Sequence, residues 1–247
     1  MDEVTLFKNR MNELAERSFN KYIYTYSDFL TLSQQSDLQK MRLKVKVSFY
    51  GGCESSERCI AVFGDAEEFG YEPDIPVSFI KIEPVLMKFA DDLSHRDFLG
   101  SLMGLGIRRE MLGDIFIKDN VAFLICMDSV SAYIIEQLDK VRHTSVICSI
   151  CDCVPSDVLP ELTYKELIVA SERLDVLISA VYNLSRNESQ HKIEGETVFC
   201  NSKMISSTSF IPDKGAVISV RGHGRFIYDG ILRTTKKGRN VIAVRIY

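Results

Sequence analysis

The chain has 247 residues, 46% of them hydrophobic and 26% charged, with a formal net charge of −4. That composition fits an ordinary globular protein and not a disordered or membrane one, and no run approaches the roughly 18 uncharged apolar residues of a membrane-spanning helix. The charge is unevenly spread: residues 171–247 hold 12 Lys plus Arg against 7 Asp plus Glu, whereas residues 1–170 hold 18 against 27, so a basic module of +5 follows an acidic body of −9. Such asymmetry is expected where one end of a protein meets phosphate.

The opening residues 1–22 mix both charge signs into every turn, so neither a signal peptide nor a membrane helix is expected to start there, and the cytoplasm is the expected location. Seven cysteines, an odd number unevenly spaced, make a poor disulfide framework and point to reduced thiols. Prolines at 73, 76 and 84 and again at 155 and 160 suggest boundaries near residues 74 and 160, giving domains 1–74, 75–160 and 161–247. The fold class is α+β.

In the first domain, a small α/β unit, Leu6 to Phe19 is predicted to form an amphipathic helix with Phe7, Met11 and Leu14 on its apolar side. Leu43 to Tyr50 alternates apolar and polar residues as a half-buried strand ended by Gly51-Gly52, and Ile60 to Phe63 gives a second strand. The middle domain predicts strand 77–82, helix 95–105, strands 113–118 and 121–127, helix 129–140 and strand 145–151. This βαββαβ order implies a ferredoxin-like sheet with two helices on one face. Ser94 and Asp97 have capping-box spacing, and Gly100 with Gly104 is expected to leave a small face that approaches the sheet.

RNA-recognition motifs share this topology. Strand 121–127 nevertheless lacks a Lys-Gly-aromatic pattern and offers only Phe123 to stack a base, so a structural role for the sheet face is favoured. Arg96, Arg108 and Arg109 are retained as secondary RNA contacts. Cys148, Cys151 and Cys153 with His143 resemble a zinc set, but a strand turns Cys148 and Cys151 to opposite sides, and buried thiols are expected instead of a metal.

The C-terminal segment opens with a helix whose Leu174, Leu177, Ile178 and Val181 form one apolar stripe. Ser185 and Glu188 have capping-box spacing, which makes Ser185 the N-cap and Arg186 the first residue of a second, polar helix. A cation there opposes the positive end of the helix dipole at a cost of about 0.3–1 kcal/mol, which a bound anion would reverse. Arg186 is therefore read as a phosphate ligand, Arg173 likewise as a first-turn cation, and Gln190 and Lys192 as further donors along the helix. A β-meander follows, with a turn at Asn201 to Lys203, a hairpin turn at Asp229-Gly230 and a basic hairpin tip at Lys236, Lys237 and Arg239. Arg221, Arg225 and Arg233 add positive charge.

Arg173-Leu174-Asp175, Ser185-Arg186, Ile193, Val198, Asn201 and Gly215 resemble, in order and spacing, the S4 RNA-binding domain of ribosomal protein S4 and many RNA-handling proteins. Glu196 stands where that family usually has Gly, Lys192 where Leu is usual and Ala216 where Asp is usual. Three further blocks, Phe49-Tyr50-Gly51-Gly52 with Glu57-Arg58, His95 to Ile107, and Val220 to Phe226, look like the YlmH family. That resemblance implies a bacterial protein with an RRM-like middle domain and a C-terminal S4 domain. It further implies association with large-subunit rRNA and tRNA in ribosome-associated quality control, with no cofactor. Its S4 contacts would fall on Arg173, Ser185, Arg186, Gln190, Asn201 and Lys203. The expected protein is a monomer, not an enzyme. Two alternatives stand beside it: an S4-guided pseudouridine synthase or methyltransferase, for which the chain shows no catalytic domain or nucleotide-binding Gly-rich loop, and a protein-interaction adaptor.

Overall fold

A computed structural model describes residues 2–247. The chain divides into two compact units, the first reaching Leu159 and the second spanning Pro160–Tyr247. No helix among the described residues is long and apolar enough to cross a membrane.

The first unit begins with helix α1 (Glu3–Lys21), capped by the Asp2 side chain accepting from Thr5 N at 2.8 Å. Strand β1 (Thr25–Tyr26), helix α2 (Leu32–Gln39), strands β2 (Val47–Tyr50) and β3 (Ile60–Phe63) and the single turn α3 (Ala66–Phe69) follow. The three strands pair antiparallel in the order β1-β3-β2. Every residue of β3 is buried because the sheet is covered on both sides: Ala61 and Phe63 meet Met11, Leu14 and Ala15 of α1, while Ile60 and Val62 pack toward the next layer. Regular strand structure starts only at Val47, so the predicted stretch 43–46 is irregular, and β1 and α2 were not anticipated.

That next layer is the sheet of β4 (Val77–Pro84), β5 (Leu112–Lys118), β6 (Val121–Met127), β7 (Lys140–Val141) and β8 (Thr144–Cys151), in the order β5-β6-β4-β8-β7, with helices α4 (His95–Gly104) and α5 (Asp128–Gln137) in the crossovers. Phe98 and Leu102 of α4 and Ile134 of α5 pack on Ile80, Ile82, Leu124 and Cys126 of one sheet face. The opposite face, with Phe123 and Ile125, is closed by Phe29, Ile60, Val62 and Val154. Burying one such side chain contributes about 1.5–3 kcal/mol, so this seam joins residues 1–74 to the middle sheet within one compact unit. Two-sided burial also explains why β6 reads as a nearly continuous apolar run.

Polar groups bind the same seam. The Arg58 guanidinium donates to the carbonyls of Leu112 (2.9 Å), Phe29 (3.0 Å) and Arg109 (3.3 Å), and Asp114 accepts from the amides of Glu57 (2.6 Å) and Arg58 (2.9 Å). Burial, then the neighbouring Arg109, pulls Arg58 down to about 10. Gly52 lies in the positive-φ region, and a Cβ there would come within 2.8 Å of the Phe79 ring, which accounts for glycine in the Phe-Tyr-Gly-Gly block. Gly100 and Gly104 do the reverse of what was expected: both are exposed, with nothing within 4 Å of a Cβ, because Phe98 and Leu102 take the sheet-facing side of α4.

The second unit comprises β9 (Thr163–Val169), α6 (Leu174–Tyr182), α7 (Arg186–Glu194), β10 (Val198–Cys200), β11 (Lys203–Met204), β12 (Ala216–Val220), β13 (Gly224–Thr234) and β14 (Asn240–Ile246). Its six strands pair antiparallel in the order β11-β10-β12-β13-β14-β9. The apolar stripe of α6 and Ile193 of α7 pack on one face, against Val198, Ile218, Phe226, Tyr228, Ile242 and Val244. The predicted hairpin turn at Asp229-Gly230 is absent. β13 runs straight through it as a bulge, because β14 pairs on both sides (Tyr228 with Val244, Gly230 with Ala243) and Arg245 holds the Asp229 carboxylate through two 2.8 Å bonds.

The Gly-to-Glu departure after α7 is resolved by backbone angle. Gly195 has φ −80°, and Glu196 takes the left-handed conformation at φ 57°, which favours glycine. Glu196→Gly is expected to stabilise the second unit by about 0.5–1 kcal/mol, the net of relieved strain and added chain entropy. Urea denaturation should show a raised midpoint with an unchanged slope, and a lowered midpoint would contradict the assignment of strain.

Candidate nucleic-acid interface

The site grows from the two helices of the second unit. Arg173 is the N-cap of α6, one place earlier than the first-turn position expected for it. The loop before β12 closes over this end, with Phe210 O accepting from Leu174 N at 2.8 Å. Ser185 caps α7 as predicted: its hydroxyl accepts from Glu188 N at 3.2 Å, and the Glu188 carboxylate accepts from Ser185 N at 2.8 Å. The first helical residue is accordingly Arg186.

Both arginines converge on Asp175, whose side chain is 0% exposed. Arg173 donates through Nε to Oδ1 and through Nη2 to Oδ2, each at 3.0 Å; Gln190 Nε2 donates to Oδ2 at 3.1 Å, and Arg186 Nε lies 3.4 Å from Oδ2. Burial by itself would raise the Asp175 pKa, but the bonds from Arg173 and Gln190, the Arg173 charge and the Arg186 bond outweigh it and hold the carboxyl below its ordinary value. This corrects the electrostatic argument made from sequence. The anion that offsets Arg186 at a helix N-terminus is supplied internally, so its placement alone does not require phosphate. Two guanidinium groups share one carboxylate, however, leaving a surplus of one positive charge, with the Arg186 side chain 62% and the Arg173 side chain 34% exposed.

The remaining predicted residues do not form one cluster. Asn201 has φ 48° and its Oδ1 accepts from Val217 N at 2.8 Å, so its side chain builds the turn into β11. Ser189 of the same helix is buried, and its hydroxyl donates back to Ser185 O. Lys192 lines a groove with Leu184, Glu188, His191, Thr197 and His223. Arg221 and Arg225 lie around the β12–β13 turn, while Lys236, Lys237 and Arg239 are exposed at the β13–β14 turn, the opposite end of β13. That second tip adjoins Val169, which pairs with Asn240 and leads into Arg173. Lys203 is exposed on β11.

In the first unit, Arg109 is committed to structure, its Nη1 donating to the carbonyls of Leu112 (2.6 Å) and Gly113 (3.1 Å). Arg108 is exposed beside Asp28 at 3.5 Å, and Arg96 is exposed on the first turn of α4. Among the described residues no group of His, Cys, Asp and Glu could hold a metal ion; Cys148 is buried, whereas Cys153, expected to be buried, is exposed. Sequence reasoning missed Asp175 as the organising group. The available signal was a carboxylate beside the stripe of Leu174 and Ile178, where burial demands a paired cation.

A family described as "Putative RNA-binding domain in YlmH" matches residues 72–153. A curated protein of Bacillus subtilis (strain 168), "Ribosome-associated protein quality control protein P2", is 26% identical over 225 residues, covering 89% of this chain and 86% of its own length. The solved structure titled "Cell division protein ylmH from Streptococcus pneumoniae" is 21% identical, with a TM-score of 0.50, over 62% of this chain and 93% of that one. The resemblance to the YlmH family read from the motifs is thus borne out by a domain match and by a relative aligned along most of both chains, and the solved structure is consistent with the mixed α/β architecture. The description of the matched family supports an RNA-binding role, and the match that carries it lies on residues 72–153.

Asp175→Asn removes the charge that pairs two cations while keeping a similar shape, and is expected to cost about 2–3 kcal/mol at neutral pH. Because the folded-state pKa is depressed, the wild-type advantage is complete above the unfolded value near about 4 and is lost as pH falls through the lower folded value. Denaturation midpoints of both proteins between pH 7 and pH 2.5 should converge at the acid end, and a gap that stays constant would rule out the ion-pair origin.

Proposed function

We propose that the chain is a non-catalytic RNA-binding protein of the cytoplasm that acts as a monomer and docks on structured RNA of the large ribosomal subunit, rRNA and tRNA. In this reading the second unit is an S4 domain and residues 75–160 form an RRM-like domain whose sheet face is structural. Arg173, Arg186 and Gln190 make the central phosphate contact, with Lys203, Lys236, Lys237 and Arg239 extending the electrostatic footprint. The observation that carries the reading is the two-to-one ratio of guanidinium to carboxylate around Asp175 at the start of α7. A fork of donors with residual positive charge suits a phosphodiester, and the helix dipole adds to the attraction. The name of the Bacillus subtilis relative supports a place in ribosome-associated quality control.

Affinity for structured RNA should fall linearly with log salt as phosphate counterions are displaced. Arg186→Ala is expected to weaken binding about five- to tenfold for every RNA sequence tested and to reduce the salt slope by about one. Fluorescence anisotropy with a labelled hairpin RNA at 50–300 mM salt measures both quantities, and an Arg186→Ala protein with wild-type affinity and slope would refute the contact.

A further inference from the structure

The helices cover one face of the six-stranded sheet of the second unit, so alternate residues of each strand point to the other side. At one end of that helix-free face the register aligns a row across four positions: Phe199 of β10 opposite Ser219 of β12, Ser219 opposite Arg225 of β13, and Arg225 beside Tyr247, whose amide donates to Arg225 O at 3.2 Å. Each ring in the row carries a guanidinium. The Arg221 guanidinium carbon lies 5.0 Å from the Phe199 ring centroid and that of Arg225 lies 4.8 Å from the Tyr247 centroid. In the next row Tyr164, 55% exposed, lies opposite Arg245, whose guanidinium is held by the Asp229 carboxylate, so that row adds a ring without a free charge.

We infer that this face is a stacking platform for unpaired nucleotides of single-stranded RNA, distinct from the Asp175 cluster. Flat aromatic and guanidinium surfaces spaced along a sheet accept bases by stacking irrespective of sequence, while the guanidinium charge attracts the phosphates between them. The occupant follows from charge as well as shape: the rings are paired with arginines, in a segment that carries +5 over residues 171–247. A cationic or neutral protein surface lacks the negative charge these groups would meet. The basic residues of the β12–β13 turn thereby act through planarity, a property that a count of positive charges does not reveal.

The inference rests on the proposed RNA-binding role for the class of partner, and the test separates the two. Binding of the full chain to a labelled twelve-residue oligouridylate and to an RNA hairpin is measured by anisotropy for wild type, Tyr247→Ala, Tyr247→Phe, Arg221→Lys and Arg186→Ala, with thermal denaturation confirming that each is folded. Alanine replacement of one stacking ring is expected to weaken oligouridylate binding at least fivefold. Tyr247→Phe should bind as wild type, and Arg221→Lys should weaken binding although charge is kept, since lysine has no plane. Hairpin affinity should change less than twofold in all three. Oligouridylate binding that survives both Tyr247→Ala and Arg221→Lys overturns the platform. Hairpin binding that survives Arg186→Ala overturns the phosphate contact and leaves the platform to stand or fall on the oligouridylate data.

Discussion

A carboxylate removed from water costs several kcal/mol unless its charge is matched, and Asp175 is matched by three side chains from two helices. That requirement fixes how α6 and α7 face one another, because Arg173 lies at the start of α6 and Arg186 and Gln190 lie a turn apart on α7. It also fixes where the cationic heads sit in the absence of any ligand. Long arginine side chains normally lose rotamer freedom on engaging a partner; here part of that loss is incurred during folding. The same carboxylate therefore serves stability and prepares a surface, and its surplus cation is what the surface has to offer.

A second constraint governs the first unit. A βαββαβ sheet has one face free of helices, and in this chain the part of that face on β6 is covered by residues that precede the sheet and by Val154 after it. The aromatic and branched residues of β6 that a nucleic acid would need are consumed by Phe29, Ile60 and Val62. The strand order is thus retained while the outer face of β6 is packed as core, and the neighbouring Lys81, Glu83 and Ile147 stay partly open. In the second unit the opposite holds: the sheet face away from the helices keeps its arginines and rings partly open. Which face of a sheet is covered, more than the order of its strands, distributes the polar chemistry between the units.

The elements with strong periodicity were legible in the sequence. The boundaries of β6 and the N-cap of α7 coincide with their predicted positions, since an apolar run ended by charged residues and a Ser-x-x-Glu spacing are local signals. What could not be read depends on pairing between distant residues. Asp229-Gly230 satisfies the rule for a tight turn, yet Arg245 and the pairing of β14 on both sides make it a bulge. The short β1 and the edge strand β9 carry weak patterns of their own and exist because a partner strand presents its open edge. The orientation of Gly100 and Gly104 turned on which side of α4 the larger Phe98 and Leu102 would claim. For the site, residue types were legible but partners were not: Arg186 was placed correctly on its helix while the source of its compensating charge, eleven residues earlier, was not.

Strand β9 joins its sheet only through β14, so the first and last strands of the second unit are hydrogen-bonded neighbours. During synthesis β9 emerges long before anything exists for it to pair with, and the helices and meander between them must be made first. Folding of this unit is consequently governed by a contact of high sequence separation, which carries a large loop-closure entropy and slows the final step. Until that step the amides of β9 lack their strand partner and stay open to other strands, so the vulnerable interval of this unit lasts until β14 is in place.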